Sequence, residues 1–454
     1  MTPTTQTIPG PGTVQALTGL ARRGFLDEMG RQWHTHGDLF AVRFGPRKLV
    51  VAMHPDAVRE VTMTSRRDFD KLGSYDTVRR YLTGDGLVAS TGDLWKRQRR
   101  LMSRFFTPRG VQAYGDTMLR DALRLTERWD HLADTGERVD MGVEMTELTA
   151  SIIVAAMFSS DAAMSGLHRH VATMIGYANS RAAGLAAPHW APTPGARRYV
   201  AARDAVHGFI EDLIARRRAM PEDRWPSDLL TRLMGARDDE TGESMADSLV
   251  RDESITMFFA GHETTARTMT ATWYALAANP EAAARLHDEL DTVLGPAGDL
   301  GARPPTLDDL TRFPYTLRVV KEVLRLYPAA PFYVRDAATD TEVTGVPIPA
   351  GTAVMLSPYY THRHPDFWAD PEAFDPGRWE PEREAAQHPT AYHPFASGER
   401  VCIGNHFSLL ESHILLAVLA HRFAPRLADG FTPNWRMDGV LSSANGMPMT
   451  IARR

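Results

Sequence analysis

The chain is poor in cysteine, because Cys402 is the only one among its 454 residues. A disulfide needs two thiols, so an internal one is excluded, which fits a reducing compartment. The N-terminal stretch MTPTTQTIPGPGTVQALTGLARRG also lacks a long apolar run. This lack argues against a signal peptide or a membrane anchor. We therefore expect a cytoplasmic protein.

The chain also lacks an excess of charge of one sign. It has 51 Lys and Arg against 56 Asp and Glu, a net charge of -5, so it has no basic footprint for nucleic acid. It contains no Ser/Gly linker, low-complexity tract or solenoid repeat, although the length alone favours about three domains. We expect one large domain over residues 1–454, with an extended segment over residues 1–30. A chain of this length can bury a sizeable core and a large ligand.

Hydrophobic periodicity predicts a mainly α-helical protein with a small β-rich part. Residues 357–404 are mostly irregular, and such a long coil inside a compact chain is usually functional. The other predicted segments are a hairpin over 39–53 around Gly45-Pro46-Arg47, helices over much of 55–330, an exposed Pro-rich loop over 187–198, a long helix over 249–278, strands and turns over 337–356, a helix over 405–423, and a hairpin over 440–452.

The single cysteine lies in the stretch FASGERVCIG, residues 395–404. A thiolate is a soft ligand for iron, and it must be held deprotonated. Cys402 comes just before a predicted helix, whose free N–H groups and dipole would stabilise a thiolate. Gly398 and Gly404 allow sharp turns or a close approach of the backbone. Phe395 could cover one side of a ligand, and Arg400 could pair with an anion. The alternative is a buried, inert cysteine.

The stretch ITMFFAGHETTARTMTATW, residues 255–273, is predicted as a helix that begins apolar and then becomes polar. Gly261 weakens the helix, and the Thr264 hydroxyl can bond the Ala260 carbonyl four residues earlier, which bends it. A groove beside this hydroxyl and the Glu263 carboxylate would suit oxygen and a proton relay. The alternative is a helix interrupted by ordinary surface polarity. A zinc-protease HExxH motif is excluded, because position 266 is alanine.

Two further pairs of residues have helical spacing. Glu322 and Arg325 share one face of an apolar helix, and alone they would be interpreted as a solvated surface pair. Trp95 and Arg99 also share one face, and alone they would be interpreted as part of an amphipathic surface helix.

The pattern Phe395-x-x-Gly398-x-Arg400-x-Cys402-x-Gly404 resembles the haem-binding loop of the cytochrome P450 family, the haem-thiolate monooxygenases. One departure is Ala396, where the family more often has Ser, Gly, Asn or His. The resemblance implies that Cys402 is the axial ligand of the haem iron and that Arg400 binds a haem propionate. A thiolate ligand favours cleavage of the O–O bond.

Four more stretches resemble family motifs, in family order, within a resemblance that covers roughly residues 30 to 450. They are GDLWKRQRRLMSRFF, AGHETT, YTLRVVKEVLRLYP and FDPGRW. AGHETT resembles the oxygen-activation motif, which implies that Thr264 donates a hydrogen bond during oxygen activation, with Glu263 upstream in proton supply. The resemblance also implies a buried network and a set of haem contacts. The network is Glu322, Arg325 and Arg378; the haem contacts are Trp95, Arg99, Arg335 and Arg400 at the propionates, with Phe395, Gly404 and Ala260 in the haem pocket.

The resemblance implies the mainly helical cytochrome P450 fold as a single large domain, containing haem b. The reaction would insert one oxygen atom of O2 into a lipophilic small molecule by hydroxylation or epoxidation, on a fatty acid, terpenoid or other secondary metabolite. With no G-x-G-x-x-G fingerprint and no length left for a reductase, NAD(P)H-derived electrons would come from an external ferredoxin and ferredoxin reductase. We expect a monomer.

Three alternatives stay open from the sequence. A haem sensor or carrier would not need the Glu263-Thr264 pair, and a peroxide-driven enzyme usually lacks it. A hydrolase is suggested only by Gly242-Glu243-Ser244-Met245-Ala246, which lacks the final glycine of a nucleophile elbow.

The resemblance also predicts where substrate and reductant would bind. Lys96, Arg97, Arg100 and Arg104 would form a basic surface that attracts an acidic ferredoxin. The substrate pocket would be lined by residues 75–87, 175–185, 258–265, 329–334 and 446–447.

Overall fold

The structure is a computed structural model. It describes residues 8–44, 47–159, 167–182, 184, 186–238, 240–437 and 439–454. The predicted class is confirmed, because the described chain is mainly α-helical with small sheets.

The α-helices of the described chain are numbered in chain order. They are α1 Thr13–His36, α2 Pro55–Arg59, α3 Asp76–Val78, α4 Gly92–Ser103, α5 Pro108–Gln112, α6 Gly115–Thr135, α7 Met141–Phe158, α8 Leu167–Ala182, α9 Pro194–Ala219, α10 Leu229–Gly235, α11 Asp247–Ala278, α12 Pro280–Leu294, α13 Pro314–Leu326, α14 Pro358–Thr361, α15 Pro381–Ala385 and α16 Asn405–Arg422.

The strands are short. They are β1 Leu39–Phe44, β2 Arg47–Ala52, β3 Phe69–Asp70, β4 Arg138–Asp140, β5 Tyr333–Ala337, β6 Thr341–Val343, β7 Val346–Ile348, β8 Ala353–Leu356, β9 Arg426–Leu427, β10 Trp435–Met437, β11 Leu441–Ser443 and β12 Pro448–Thr450.

The chain divides into two compact units. The β-rich unit comprises Met1–Ser74, Arg318–Cys402 and Thr432–Asn445. The helical unit comprises Tyr75–Leu317, Ile403–Phe431 and Gly446–Arg454.

The β-rich unit contains a five-stranded sheet in the order β1-β2-β8-β5-β3. Strands β2 and β8 are parallel, and the other neighbours are antiparallel. Side chains of β2 alternate between the two faces of the sheet. Val50 and Ala52 pack into one apolar cluster, while Val51 packs into another. Both faces are covered, so the strand is apolar from Leu49 to Ala52.

The extended segment predicted for residues 1–30 is wrong from Thr13 onward, because α1 is helical there. Ala16, Leu26 and Met29 of α1 are buried in the cluster that includes Val51. The sequence signal was weak because α1 is kinked at Gly24, which has φ 80° and divides the apolar pattern.

The helical unit is organised around α11, which packs against α7. Close approach is possible at Gly261, where an added Cβ would lie 2.8 Å from the Ile153 side chain. An aromatic group joins α6, α11 and the end of α16, since Trp129 contacts Trp273 and Phe423 edge to face, at 5.5 Å between ring centroids in each pair. Such pairs add to the energy of burial.

The hairpin predicted for residues 440–452 is wrong. Strand β11 pairs with β10, and β12 pairs with β4 and β9. Short alternating segments do not specify their partners, so the pairing depends on contacts distant in sequence.

The remaining predicted elements agree with the structure. Strands β1 and β2 form the predicted hairpin, although Gly45 and Pro46 lie outside the described residues. The helices predicted over 249–278 and 405–423 are α11 and α16. The predicted loop over 187–198 is shorter, because Pro194 begins α9 and the Thr193 side chain caps it.

One helix among the described residues, Met141–Phe158, is long and apolar enough to cross a membrane, and 67% of it is buried inside the protein. Its Thr149 hydroxyl donates to the His262 carbonyl of α11 at 3.0 Å. We interpret α7 as a core helix.

Candidate active site

The cysteine loop is held by backbone hydrogen bonds within the β-rich unit. The Cys402 N–H donates to the Phe395 carbonyl at 2.8 Å, and the Val401 N–H donates to the Gly398 carbonyl at 3.1 Å. Cys402 itself is exposed. Helix α16 begins three residues later in the chain, with Gly404 as its N-cap. The loop therefore presents its thiol from a fixed backbone.

Two residues of this loop have positive φ angles. Gly398 has φ 71°, and a Cβ there would lie 1.9 Å from the Thr62 carbonyl oxygen, so only glycine fits. Ala396 has φ 59°, a left-handed conformation that Gly and Asn adopt more readily. This gives a physical reason why alanine is a departure at that position.

Cations cluster in the same unit. Arg400 forms an ion pair with Asp70, and Arg335 is buried with its guanidinium 5.1 Å from the centre of the Tyr333 ring. Burial, together with the charges of Arg335 and Arg400, holds the pKa of Lys71 well below its usual range. The Cys402 thiolate acts in the opposite direction and raises it. Such a cluster favours an anionic ligand.

Arg335 and Arg400 were predicted from the sequence, whereas Lys71 was not. Its surroundings in the sequence, DFDKLG, are those of an ordinary exposed turn. Only the fold places it near the other two cations.

Glu322, Arg325 and Arg378 meet in the β-rich unit. Arg325 forms a bidentate pair with Glu322, at 2.8 and 2.9 Å, and both side chains are fully buried. Arg378 lies 3.4 Å from the same carboxylate. Arg325 also donates to the carbonyls of His362, Pro371 and Ala373, at 3.0, 2.6 and 2.8 Å. The network thus ties α13 to the irregular segment that precedes the cysteine loop.

The AGHETT stretch lies inside α11, which is helical throughout. The Thr264 hydroxyl donates to the Ala260 carbonyl at 2.8 Å, the bond predicted from the sequence. The Glu263 carboxylate accepts from Arg267 Nε at 3.0 Å and lies 3.7 Å from His262 Nε2. Acid and alcohol are therefore adjacent on one half-buried stretch.

A buried acid beside this stretch was not predicted. Glu411 of α16 is almost fully buried, and burial raises its pKa to about 8, while the Thr265 hydroxyl lowers it. Thr265 Oγ1 also lies 3.2 Å from Ser408 Oγ. The second threonine of the motif therefore interacts with α16, and Glu411 is protonated at neutral pH. A lone glutamate in an apolar helix was the only signal in the sequence.

Trp95 and Arg99 are one turn apart on α4, where Trp95 is buried and Arg99 is half-buried. Three members of the basic surface predicted on the same helix form ion pairs with nearby carboxylates. Lys96 pairs with Asp93 at 3.1 Å. Two arginines pair with carboxylates of the loop between α10 and α11. Arg97 lies 3.0 Å from Glu243, and Arg100 lies 2.7 Å from Asp238. Their charges are therefore offset locally.

One more group of potential metal ligands exists among the described residues. The ligand atoms of Asp38, His54 and His364 lie within 4.8 Å of one another. However, the Nδ1 atoms of the two rings accept from the N–H groups of Asp56 and Asp366, at 3.1 and 3.3 Å. Each ring therefore carries its proton on Nε2, and His364 Nε2 donates to Asp38 at 3.2 Å. We interpret this group as a hydrogen-bonded structural cluster.

The donor set around Cys402 fits haem. A thiol supplies the soft ligand that iron accepts. Lys71, Arg335 and Arg400 supply positive charge for carboxylates, and Asp70 offsets part of it.

The comparisons with known proteins agree with this assignment. A family model of cytochrome P450 matches residues 9–445. The chain is 34% identical to cyclooctat-9-en-7-ol 5-monooxygenase of Streptomyces melanosporofaciens, over 87% of this chain and 84% of that protein. It is 33% identical to pentalenene oxygenase of Streptomyces avermitilis, over 85% and 83%.

The fold gives the same result. The crystal structure of the cytochrome P450DA heme domain aligns with a TM-score of 0.89 and 27% identity, covering 98% of each chain. The protein is thus a haem-thiolate monooxygenase, and the chain belongs to the cytochrome P450 family. Its cofactors are haem b and O2, with electrons from NAD(P)H supplied through redox partners.

Proposed function

We propose that Cys402 is the thiolate that ligates the haem iron. The observation that carries this is the position of the only cysteine, exposed on a loop fixed by its own backbone bonds, beside three clustered cations. When bound, haem supplies oxygen activation and electron transfer. The protein's part is to hold the thiolate, to neutralise the propionates and to move protons.

We assign the propionates to five residues on the chemistry of their side chains. Arg335, Arg400 and Lys71 would neutralise carboxylate charge from the β-rich unit. Trp95 and Arg99 of α4 would contribute an indole N–H and a guanidinium. Phe395, Gly404 and Ala260 complete the proposed pocket; two of the three lack a large side chain.

Proton supply is assigned to Glu263 and Thr264. Glu263 forms an ion pair with Arg267, one turn later on α11. It would have to exchange Arg267 for water to pass protons towards the Thr264 hydroxyl. Thr264 would then donate to the oxygen being reduced and suppress its escape as hydrogen peroxide.

The proposed substrate is a terpenoid, hydroxylated at an unactivated carbon or epoxidised at a double bond. The support is the names of the bacterial relatives, which act on cyclooctat-9-en-7-ol and pentalenene. The proposed lining segments are rich in apolar residues, which suits a hydrocarbon. Residues 183 and 185 of the segment 175–185 lie outside the described residues.

The proposed electron donors are an external ferredoxin and its reductase, with the protein acting as a cytoplasmic monomer. The ferredoxin would dock against α4, where Arg97, Arg100 and Arg104 provide cations.

The thiolate assignment is tested by the spectrum of the reduced carbon-monoxide complex. The parent protein should give the red-shifted Soret band of a thiolate-ligated haem, and Cys402→Ala should lose it. Ser103→Ala, an exposed change on α4, should keep it. The same red-shifted band in Cys402→Ala would contradict the assignment.

The terpenoid proposal is tested by titration of the parent protein with cyclic terpenes and, separately, with fatty acids. The haem spectrum should shift only with the terpenes, and the reverse preference would contradict the proposal.

A further inference from the structure

The arginines of α4 are held by a loop of the same unit that has two kinds of carboxylate. Asp238 is buried. It accepts from Arg100 at 2.7 Å and from the N–H groups of Glu240 and Thr241 at 3.0 Å each. The hydrogen bond from Arg100 lowers its pKa to about 2. Asp238 is therefore a fixed anchor between the loop and α4.

Glu240 and Glu243 differ from this anchor because they are exposed. Glu240 lies 3.2 Å from Arg100 Nη1, and Glu243 lies 3.0 Å from Arg97 Nη1. Their side chains are 71% and 65% exposed. Ion pairs at such exposure are weak and exchange readily with other charged groups. A second carboxylate could therefore replace either glutamate without moving Asp238.

The two glutamates change the charge that an incoming protein encounters. Lys96, Arg97 and Arg100 are matched, among the described residues, by the carboxylates of Asp93, Asp238, Glu240 and Glu243. Among these described residues, removal of the two exposed glutamates would leave three cations against two carboxylates. An acidic partner would be attracted more strongly to that surface than to the present one.

We propose that Glu240 and Glu243 are internal competitors for Arg97 and Arg100, and that an acidic ferredoxin docks by displacing them. The proposal rests on the proposed docking of ferredoxin against α4. It assigns the two glutamates a regulatory role, because they weaken the encounter and favour a partner whose carboxylates match both arginines.

The test compares two variants that raise the net charge equally. Glu240→Gln with Glu243→Gln removes the competitors. Glu222→Gln with Asp223→Asn removes two exposed carboxylates of the same unit, elsewhere in the chain. The binding of an acidic [2Fe–2S] ferredoxin to each haem-loaded protein is measured by calorimetry at low and at high ionic strength. The first variant should bind roughly three- to tenfold more tightly at low salt, and the gain should disappear at high salt.

A second pair of variants tests whether the gain in binding depends on Arg97 and Arg100. In a protein that carries Arg97→Gln and Arg100→Gln, removal of the two glutamates should give no gain. Equal gains in the two charge variants, no gain in the first, or a gain that survives in the arginine-free background would each overturn the proposal. The carbon-monoxide spectrum of every preparation is recorded first, so loss of thiolate haem, which contradicts the proposed function, is recognised separately.

Discussion

Glu411 shows how strongly burial can raise the pKa of one carboxyl in the helical unit. It lies in an apolar helix, and the Thr265 hydroxyl is the polar group that lowers its pKa. Burial raises that pKa from 4.5 to about 8, so the folded protein holds a proton that the unfolded chain releases.

We expect this proton to make stability depend on pH. The contribution of Glu411 is fully present below pH 4.5 and falls by about 1.4 kcal/mol per pH unit up to about pH 8. Glu411→Gln should remove that part of the slope in denaturant unfolding, whereas Glu281→Gln, an exposed change on α12, should not. An unchanged slope in Glu411→Gln would show that the buried carboxyl is ionised.

Thr264 is the second residue whose role can be isolated. Thr264→Ala should bind haem and substrate normally, but product formed per NADH should fall by on the order of tenfold and hydrogen peroxide should rise. Thr292→Ala is a matched control, because its hydroxyl makes the same bond to a carbonyl four residues earlier, on α12. Equal coupling in both variants would remove Thr264 from proton supply.

At the scale of elements, the network around Glu322 joins α13 to the irregular segment over 357–404. That segment has little regular structure, so it depends on hydrogen bonds from side chains. Besides the arginines, Glu322 accepts from the Trp379 indole at 3.0 Å and from the Asp375 N–H at 2.9 Å.

Removal of the negative charge from this network should be costly. Glu322→Gln would leave Arg325 buried without its counter-charge, and we expect a loss of about 3–5 kcal/mol in the free energy of unfolding. Asp212→Asn breaks an exposed pair with Arg216, and it should cost less than about 1 kcal/mol. Denaturant unfolding of both variants measures the difference, and similar costs would show that the buried network is not a major source of stability.

Two predictions about secondary structure were wrong, the one for α1 and the one for the C-terminal hairpin, and both failed because the local sequence pattern was short or interrupted. Helix α1 was missed because Gly24 interrupts its pattern, and β11 and β12 were paired wrongly because each has only three residues. Long, continuous patterns such as α11 and α16 were predicted correctly.

At the scale of the whole molecule, the family match over residues 9–445 agrees with the mainly helical class predicted from periodicity. The chain divides into two compact units. Cys402 belongs to one of them and Thr264 to the other, and each residue is held by hydrogen bonds within its own unit.

The sequence by itself determined the helical class, the single thiol and the order of the motifs. Local spacing was enough for these, because a four-residue interval places Thr264 over Ala260 and a fixed loop pattern surrounds Cys402. Only the tertiary structure decided that Lys71 joins Arg335 and Arg400, that Glu411 is buried near Thr265, and that carboxylates offset Arg97 and Arg100. Burial and ion pairing act between residues far apart in the chain, and no local pattern encodes them.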